Sequence, residues 1–130
     1  MLDEKIIAKI KEVCQKYAQI KLLYVFGSQT RGDAGPMSDY DFAVYLDEID
    51  PQKRFEIKLG LIGEFTSILQ RNDVDVAVIN DAESPFFKYA VIKDGVLIFE
   101  SKPYKVMAET AIMSEYLDLR ESFLKYNFAK

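Results

Sequence analysis

The sequence has 130 residues, of which 49% are hydrophobic and 29% are charged, a composition typical of a globular domain rather than a disordered chain. Its 17 basic and 21 acidic residues give a net charge of −4, which provides no overall attraction to nucleic acid. One cysteine and no histidine exclude an internal disulfide, a Cys/His zinc site and histidine-based catalysis. We expect a single domain over residues 1–130, with no membrane span, in the cytoplasm.

The first part of the sequence predicts a helix followed by two strands. Residues Leu2 to Tyr17 carry apolar side chains at helical spacing, and acidic residues at the start favour the positive end of the helix dipole. Residues Lys21 to Phe26 are almost continuously apolar, as in a strand that is covered on both faces. A second strand is predicted from Asp39 to Leu46. Between these strands, part of the segment from Gln29 to Pro36 is expected to form a short helix whose N-terminus points at bound phosphates.

A long helix is predicted after the second strand. Asp50 and Pro51 are typical of an N-cap and a first helical residue, and the helix continues to about Arg71. Gly60 and Gly63 each cost about 1 kcal/mol relative to alanine inside a helix, which indicates close packing at these positions. We expect an apolar stripe to face the core, and it consists of Phe55, Leu59, Ile62, Phe65 and Leu69.

The remaining residues alternate between strands and helices. Asn72 to Ile79 are rich in β-branched side chains and predict a third strand. Ser84 begins a short helix that runs to about Ile92, and a last short strand follows at residues 96–99. The helical pattern resumes at Pro103. This helix carries an apolar stripe long enough to cover one sheet face or to dock on another chain, formed by Tyr116, Leu119, Phe123 and Tyr126.

The segment from Tyr24 to Leu46 combines a turn suited to phosphate with a pair of carboxylates. Gly27 and Ser28 form a bend after an apolar strand, where backbone N–H groups can approach an anion closely. Asp39 and Asp41 share one face of the next strand, because side chains alternate along a strand. At ~5 Å and an effective dielectric of about 20, two carboxylates repel by roughly 3 kcal/mol, which favours a proton or a divalent cation between them. Oxygen ligands suit Mg²⁺ or Mn²⁺, so the segment predicts a site for a metal–nucleoside triphosphate.

The third strand offers one more acidic side chain for this site. Asp73 and Asp75 are expected to share a face, so periodicity alone does not separate them. We select Asp75 because valines flank it on both sides, whereas Asp73 follows Asn72 at the edge of the run. If the second and third strands are neighbours, Asp75 joins Asp39 and Asp41 in a cluster of three carboxylates.

Two residues near the turn have alternative interpretations. Arg31 either pairs with a triphosphate or bridges to Asp33 or Asp39, and we give the two interpretations equal weight. Ser28 is either a turn residue alone or a donor whose hydroxyl and N–H reach a phosphate oxygen. The sequence leaves both alternatives open.

The motif Gly-Ser-Gln-Thr-Arg-Gly at 27–32, followed by Met-Ser-Asp-Tyr-Asp-Phe at 37–42, resembles that of the minimal nucleotidyltransferases, or MNT domains. These belong to the superfamily with the DNA polymerase β-like palm. The resemblance is strong over residues 22–79 and loose elsewhere, and it implies an α+β fold with a small mixed β-sheet and flanking helices. It also implies two Mg²⁺ ions, ATP as substrate and two sets of site residues: catalytic metal ligands at Asp39, Asp41 and Asp75, and nucleotide-binding residues at Gly27, Ser28 and Arg31.

The resemblance also implies a partner. Members of this family are commonly the antitoxins of HEPN–MNT pairs, in which AMP passes from ATP to a tyrosine of a HEPN-type ribonuclease toxin. In that role Asp75 would orient or deprotonate the acceptor hydroxyl, and the chain would form a hetero-oligomer with the toxin. Two alternatives stay open: a small-molecule nucleotidyltransferase of the aminoglycoside-modifying kind, and a non-catalytic binding module that neutralises its partner by covering it.

Overall fold

A computed structural model describes residues 3–26 and 40–128 of the chain. The elements in chain order are helix α1 (Glu4–Lys16), strands β1 (Ile20–Phe26) and β2 (Tyr40–Leu46), helix α2 (Pro51–Leu69), strand β3 (Val74–Val78), helix α3 (Pro85–Asp94), strand β4 (Val96–Glu100) and helix α4 (Tyr104–Phe128). The structure confirms every helix and strand that the sequence predicts within these residues. The short helix predicted between Gln29 and Pro36 lies outside them.

The strands form one mixed sheet with the order β3-β2-β1-β4. Strand β1 is antiparallel to both β2 and β4, whereas β2 and β3 are parallel. A parallel pair needs a crossover connection, and α2 provides it between β2 and β3. The structure therefore confirms the predicted α+β class, a small mixed sheet flanked by helices.

Helices cover both faces of this sheet. On the first face, α1 and α2 pack against side chains such as Phe42, Val44 and Val76. On the second face, α3 and α4 pack against side chains such as Leu22 and Tyr24 of β1. Because the central strands are buried on both sides, their sequences are nearly continuous in apolar residues. No helix in the described part of the chain combines the length and hydropathy that a bilayer span requires.

Local side-chain caps fix where three of the helices begin. Asp3 accepts a hydrogen bond from the Ile6 N–H at 2.8 Å, and Asp50 accepts one from the Gln52 N–H at 3.0 Å. Ser84 caps α3 in the same way. Each such cap contributes about 1 kcal/mol to helix stability, which explains why the sequence marks these starts so clearly.

The inner stripe predicted for α2 is wrong in its first half. Phe55 and Leu59 are 51% and 52% exposed, and the buried stripe is instead formed by Ile57, Leu61 and Phe65. Three members of the predicted stripe do contribute to the core: Phe65 fully, and Ile62 and Leu69 in part. Apolar residues lie on several sides of α2, so helical spacing offers more than one stripe. The packing against α1 and the sheet selects the one that is buried.

The two helices on the first face approach closely at Gly60. A Cβ atom at this position would lie 2.7 Å from the hydroxyl oxygen of Tyr17, the residue that caps the end of α1, so the predicted close packing is confirmed there. The same hydroxyl donates to a carboxylate oxygen of Glu64 at 2.9 Å. At Gly63 a Cβ would meet nothing within 4 Å, so the prediction of close packing is wrong for that glycine.

The apolar stripe predicted on α4 does not cover the sheet. Its members Phe123 and Tyr126 are 57% and 70% exposed, whereas Ala108 and Ile112 of the same helix are buried against the sheet. Helix α4 has 25 residues and is therefore about 37 Å long, which exceeds the length of the five- to seven-residue strands. Only the first half of α4 can pack on the sheet. The alternative, that the stripe docks on another chain, stays a prediction.

Candidate active site

Asp41 and Asp75 are partners in the parallel ladder between β2 and β3. Neighbouring strands lie about 4.8 Å apart, and side chains at paired positions of a parallel ladder leave the sheet on the same face. Tyr40 and Phe42 flank Asp41, Val74 and Val76 flank Asp75, and all four of these neighbours pack on the first face. The two carboxylates therefore leave the second face side by side, and the structure confirms that β3 is the neighbour of β2.

The surroundings of the two acids differ. Asp41 is half-buried, and Phe26 at the end of β1 is its partner on the other side. Asp75 is exposed, because β3 is the outer strand of the sheet. The Phe26 ring makes an edge-to-face contact with Phe87 of α3, with 5.7 Å between the ring centroids. An apolar wall thus borders the site on the β1 side, and the exposed Asp75 borders it on the β3 side.

The donor set of this site suits a hard divalent cation. Both side chains offer carboxylate oxygens, the ligand type that Mg²⁺ and Mn²⁺ prefer. One oxygen of Asp75 also accepts the Val76 N–H at 2.9 Å, which fixes the orientation of that carboxylate. Among residues 3–26 and 40–128, no cluster of three or more acidic or cysteine side chains is placed to hold a metal ion. The described residues therefore contain two of the three predicted metal ligands, and the third, Asp39, lies outside them.

Asp73 is engaged elsewhere. The Arg71 guanidinium donates from Nε to one Asp73 oxygen at 2.7 Å and from Nη2 to the other. These hydrogen bonds lower the pKa of Asp73. Asp73 also lies one residue before β3 begins. It is therefore not part of the strand whose alternating side chains were expected to place it on the same face as Asp75. The structure therefore favours Asp75 as the acid that faces Asp41.

The other predicted site residues lie outside the described residues. They are Gly27, Ser28, Arg31 and Asp39. The described residues on either side of this segment are Phe26, which pairs with Asp41, and Tyr40, which pairs with Val74. Phe26 and Tyr40 therefore both lie at the level of the acidic pair.

The sequence pattern alone does not indicate a role at the site for Arg71, Tyr40 or Phe87. Arg71 pairs with Asp73 two residues later, and its Cζ atom lies 4.5 Å from the centroid of the Tyr40 ring. An arginine two residues before an aspartate at the start of a strand is a weak sequence signal. Its contact with Tyr40 can be recognised only after β2 and β3 have been paired.

Two comparisons with known sequences agree with this geometry. The family model described as "Polymerase beta, Nucleotidyltransferase" matches residues 8–104 of the chain. The protein adenylyltransferase MntA of Aphanizomenon flos-aquae is 30% identical over 106 residues, which span 72% of this chain and 69% of that protein. Both matches include the two strands that carry the acidic pair.

Solved structures show the same fold. A chain of a toxin–antitoxin structure with AMP-PNP is 25% identical, with a TM-score of 0.71 over 93% of this chain and 92% of that one. A complex of a tri-AMPylated Shewanella oneidensis HEPN toxin with an MNT antitoxin gives 22% identity and a TM-score of 0.66, again over 93% and 92% of the two chains. At this low identity, the similarity to the Shewanella chain shows a shared fold alone. The chain belongs to the polymerase β nucleotidyltransferase family and, by its kinship with MntA, to the minimal nucleotidyltransferases within it.

Proposed function

We propose that this chain is a Mg²⁺-dependent protein adenylyltransferase that transfers AMP from ATP to a tyrosine of a HEPN-type ribonuclease and so acts as the antitoxin of that ribonuclease. The observation that carries the proposal is the pair of carboxylates at Asp41 and Asp75, side by side at the open edge of the sheet. The relatives support the choice of reaction, because MntA is named a protein adenylyltransferase and the HEPN toxin of the Shewanella complex is tri-AMPylated. An enzyme that consumes ATP is expected where ATP is abundant, so the proposal includes a cytoplasmic location.

The residues present fit the metal that the family uses. Asp41 and Asp75, together with Asp39, would hold Mg²⁺ through carboxylate oxygens. When bound, the metal lowers the barrier to phosphoryl transfer by drawing negative charge from the phosphate oxygens. Backbone N–H groups at Gly27 and Ser28 would donate hydrogen bonds to phosphate oxygens of ATP.

The difference in exposure assigns different tasks to the two described acids. Asp75 is exposed on the outer strand, where the hydroxyl of a large acceptor can approach it. In the proposed reaction Asp75 accepts the proton of the tyrosine hydroxyl, and the phenolic oxygen forms a bond to the α-phosphorus. The bond from that phosphorus to the bridging oxygen breaks, and pyrophosphate leaves. Asp41, half-buried between β1 and β3, positions the nucleotide and does not need to face the acceptor.

A transfer assay tests the proposal. The chain is incubated with ATP labelled at the α-phosphate, Mg²⁺ and a HEPN-type ribonuclease that co-purifies with it. We expect label on a tyrosine of the ribonuclease, and loss of this label with Asp41→Asn. The matched control is Asp81→Asn, which removes an exposed carboxylate at the other end of β3 and should keep the label.

Two other results would contradict the proposal. Label on an aminoglycoside in place of the ribonuclease would identify a small-molecule nucleotidyltransferase. Inhibition of the ribonuclease by Asp41→Asn without any label would identify a non-catalytic binding module.

A further inference from the structure

Arg71 is fixed in place by the way α2 ends. The cap residue Gln70 adopts a left-handed conformation with φ 55° and ψ 44°, and its N–H binds the carbonyl oxygen of Thr66. The N–H of Arg71 binds the same carbonyl at 3.3 Å. This is the local geometry of a helix that stops and reverses the chain. The Arg71 side chain is therefore presented at a defined point beside the start of β3.

From this point Arg71 contacts residues at the start of β2 and β3, the two strands that carry Asp41 and Asp75. Its guanidinium forms a two-pronged ion pair with Asp73, which immediately precedes β3. The same planar group lies over the ring of Tyr40, the first residue of β2, at 4.5 Å from the centroid. A planar guanidinium can make both contacts at once, which the ammonium of a lysine cannot do equally well.

A backbone hydrogen bond closes the arrangement. The Tyr40 N–H donates to the carbonyl oxygen of Asp73 at 3.0 Å. The next pairs in the ladder are Tyr40 with Val74 and Asp41 with Asp75. The Arg71 guanidinium therefore contacts both Tyr40 and Asp73, and the backbones of these two residues are hydrogen-bonded directly before Asp41 and Asp75 in the ladder. We name these three residues, Arg71, Tyr40 and Asp73, the register clamp.

The register clamp joins the backbones of β2 and β3 directly before the acidic pair. The Tyr40 ring packs on the first face of the sheet, against the α1 and α2 side of the core. Asp41 follows it by one residue and leaves the second face, because side chains alternate along a strand. Through its contacts with Tyr40 and Asp73, Arg71 can influence the site by fixing the positions of β2 and β3.

We propose that Arg71 is a positioning residue that holds β2 and β3 in the register at which Asp41 and Asp75 can share one divalent cation. This inference rests on the proposed metal-dependent function of the acidic pair. It concerns the affinity of the site for the metal rather than the chemical step. Residues that orient metal ligands without touching the metal typically change metal affinity when they are replaced.

The variant Arg71→Gln tests this role, with Arg54→Gln as its matched control. Arg54 lies near the start of α2 and makes the same kind of two-pronged ion pair with Asp81. The side chain of Arg54 is less exposed than that of Arg71. Both variants lose a two-pronged ion pair, and Arg54→Gln also loses the hydrogen bond from Arg54 Nη1 to the Glu48 carbonyl oxygen. Only Arg71→Gln removes contacts with the residues beside the acids. The probe is Mn²⁺ alone, titrated into the purified chain and followed by electron paramagnetic resonance.

We expect Arg71→Gln to raise the dissociation constant for Mn²⁺ about tenfold and Arg54→Gln to leave it unchanged. Arg71→Lys keeps the charge beside Asp73 but loses the planar contact with Tyr40, so it should give an intermediate value. In the AMP-transfer assay, Arg71→Gln should need more Mg²⁺ for half-maximal rate, while the rate at saturating Mg²⁺ stays within about threefold of wild type.

Two results would separate this inference from the proposed function. If the wild type transfers AMP but Arg71→Gln and Arg54→Gln bind Mn²⁺ equally well, the positioning role is wrong and the proposed function stands. If Mn²⁺ binding depends on Arg71 in the expected way but no acceptor receives AMP, the positioning role stands and the proposed function is wrong.

Discussion

Asp41 of β2 and Asp75 of β3 lie opposite each other because α2 carries the chain from one parallel strand to the next. The same helix buries Leu61 and Phe65 in the core and ends at Leu69, two residues before Arg71. The elements that make the fold stable are thus the elements that bring the acids together. Substitutions that disturb the packing of α2 should therefore change the free energy of unfolding. Substitutions that displace Asp41 or Asp75 should change the rate of AMP transfer.

The contact between α1 and α2 predicts different effects for two glycine substitutions in one helix. Gly60→Ala must displace the Tyr17 hydroxyl from its hydrogen bond with Glu64, which offsets the gain in helix propensity. Gly63→Ala meets no neighbouring atom and should stabilise the chain by about 1 kcal/mol. Urea unfolding of the two variants measures the difference, and Gly63→Ala should be the more stable by about 1–2 kcal/mol.

A second background makes this comparison sharper. In Tyr17→Phe the hydroxyl is absent, and the nearest ring atom would lie 3.6 Å from the new Cβ, which is an ordinary contact. Gly60→Ala should therefore be stabilising in that background. An equal effect of Gly60→Ala in both backgrounds would contradict the close contact between Gly60 and Tyr17.

The buried phenol of Tyr24 predicts a loss of stability at high pH. Burial raises the pKa of Tyr24 above its ordinary value of 10.0, and the hydrogen bond to Glu109 raises this pKa further. Below pH 10 both the folded and the unfolded chain keep the phenol protonated, so its contribution to stability is fully present. As the pH rises above about 10, only the unfolded chain loses this proton, and the free energy of unfolding falls.

Urea unfolding at a series of pH values measures this fall, with Tyr24→Phe as the comparison. Glu109 keeps Lys105 as an ion-pair partner in this variant, with 3.2 Å between Lys105 Nζ and the carboxylate. We expect the dependence on pH to be weaker in Tyr24→Phe. The same slope in both proteins would show that Tyr24 is not the group responsible.

The buried thiol of Cys14 predicts low reactivity in the folded state. The side chain is 1% exposed, and burial raises its pKa to about 12. Since only the thiolate is nucleophilic, the native chain should react with a disulfide reagent at pH 8 about 10³-fold more slowly than the chain in concentrated urea. Similar rates in the two conditions would place the thiol outside the core.

Local signals made most of the fold predictable from the sequence. Asp3, Asp50 and Ser84 mark helix starts because each cap is a contact between near neighbours in the chain. The choice of Asp75 over Asp73 also used local information, since valines flank only Asp75 on both sides. Signals between near neighbours in the chain do not depend on how the rest of the chain packs.

Features that depend on tertiary packing could not be predicted in the same way. Phe55 and Leu59 follow a helical spacing as regular as that of the side chains that are buried, and only contact with the sheet distinguishes the two sets. The contact between Arg71 and Tyr40 joins distant parts of the sequence, so it becomes visible only in the paired sheet. The register clamp belongs to this second class of features.

The proposed transfer of AMP depends most directly on the carboxylate of Asp75. The measurement is the intact mass of a HEPN-type ribonuclease after incubation with ATP, Mg²⁺ and either the wild-type chain or Asp75→Asn. Because this side chain is exposed, the variant should unfold at the same urea concentration as the wild type. We expect the wild type to add AMP to the ribonuclease and Asp75→Asn to do so about 10²- to 10⁴-fold more slowly. Transfer at the wild-type rate by a folded Asp75→Asn would contradict the account.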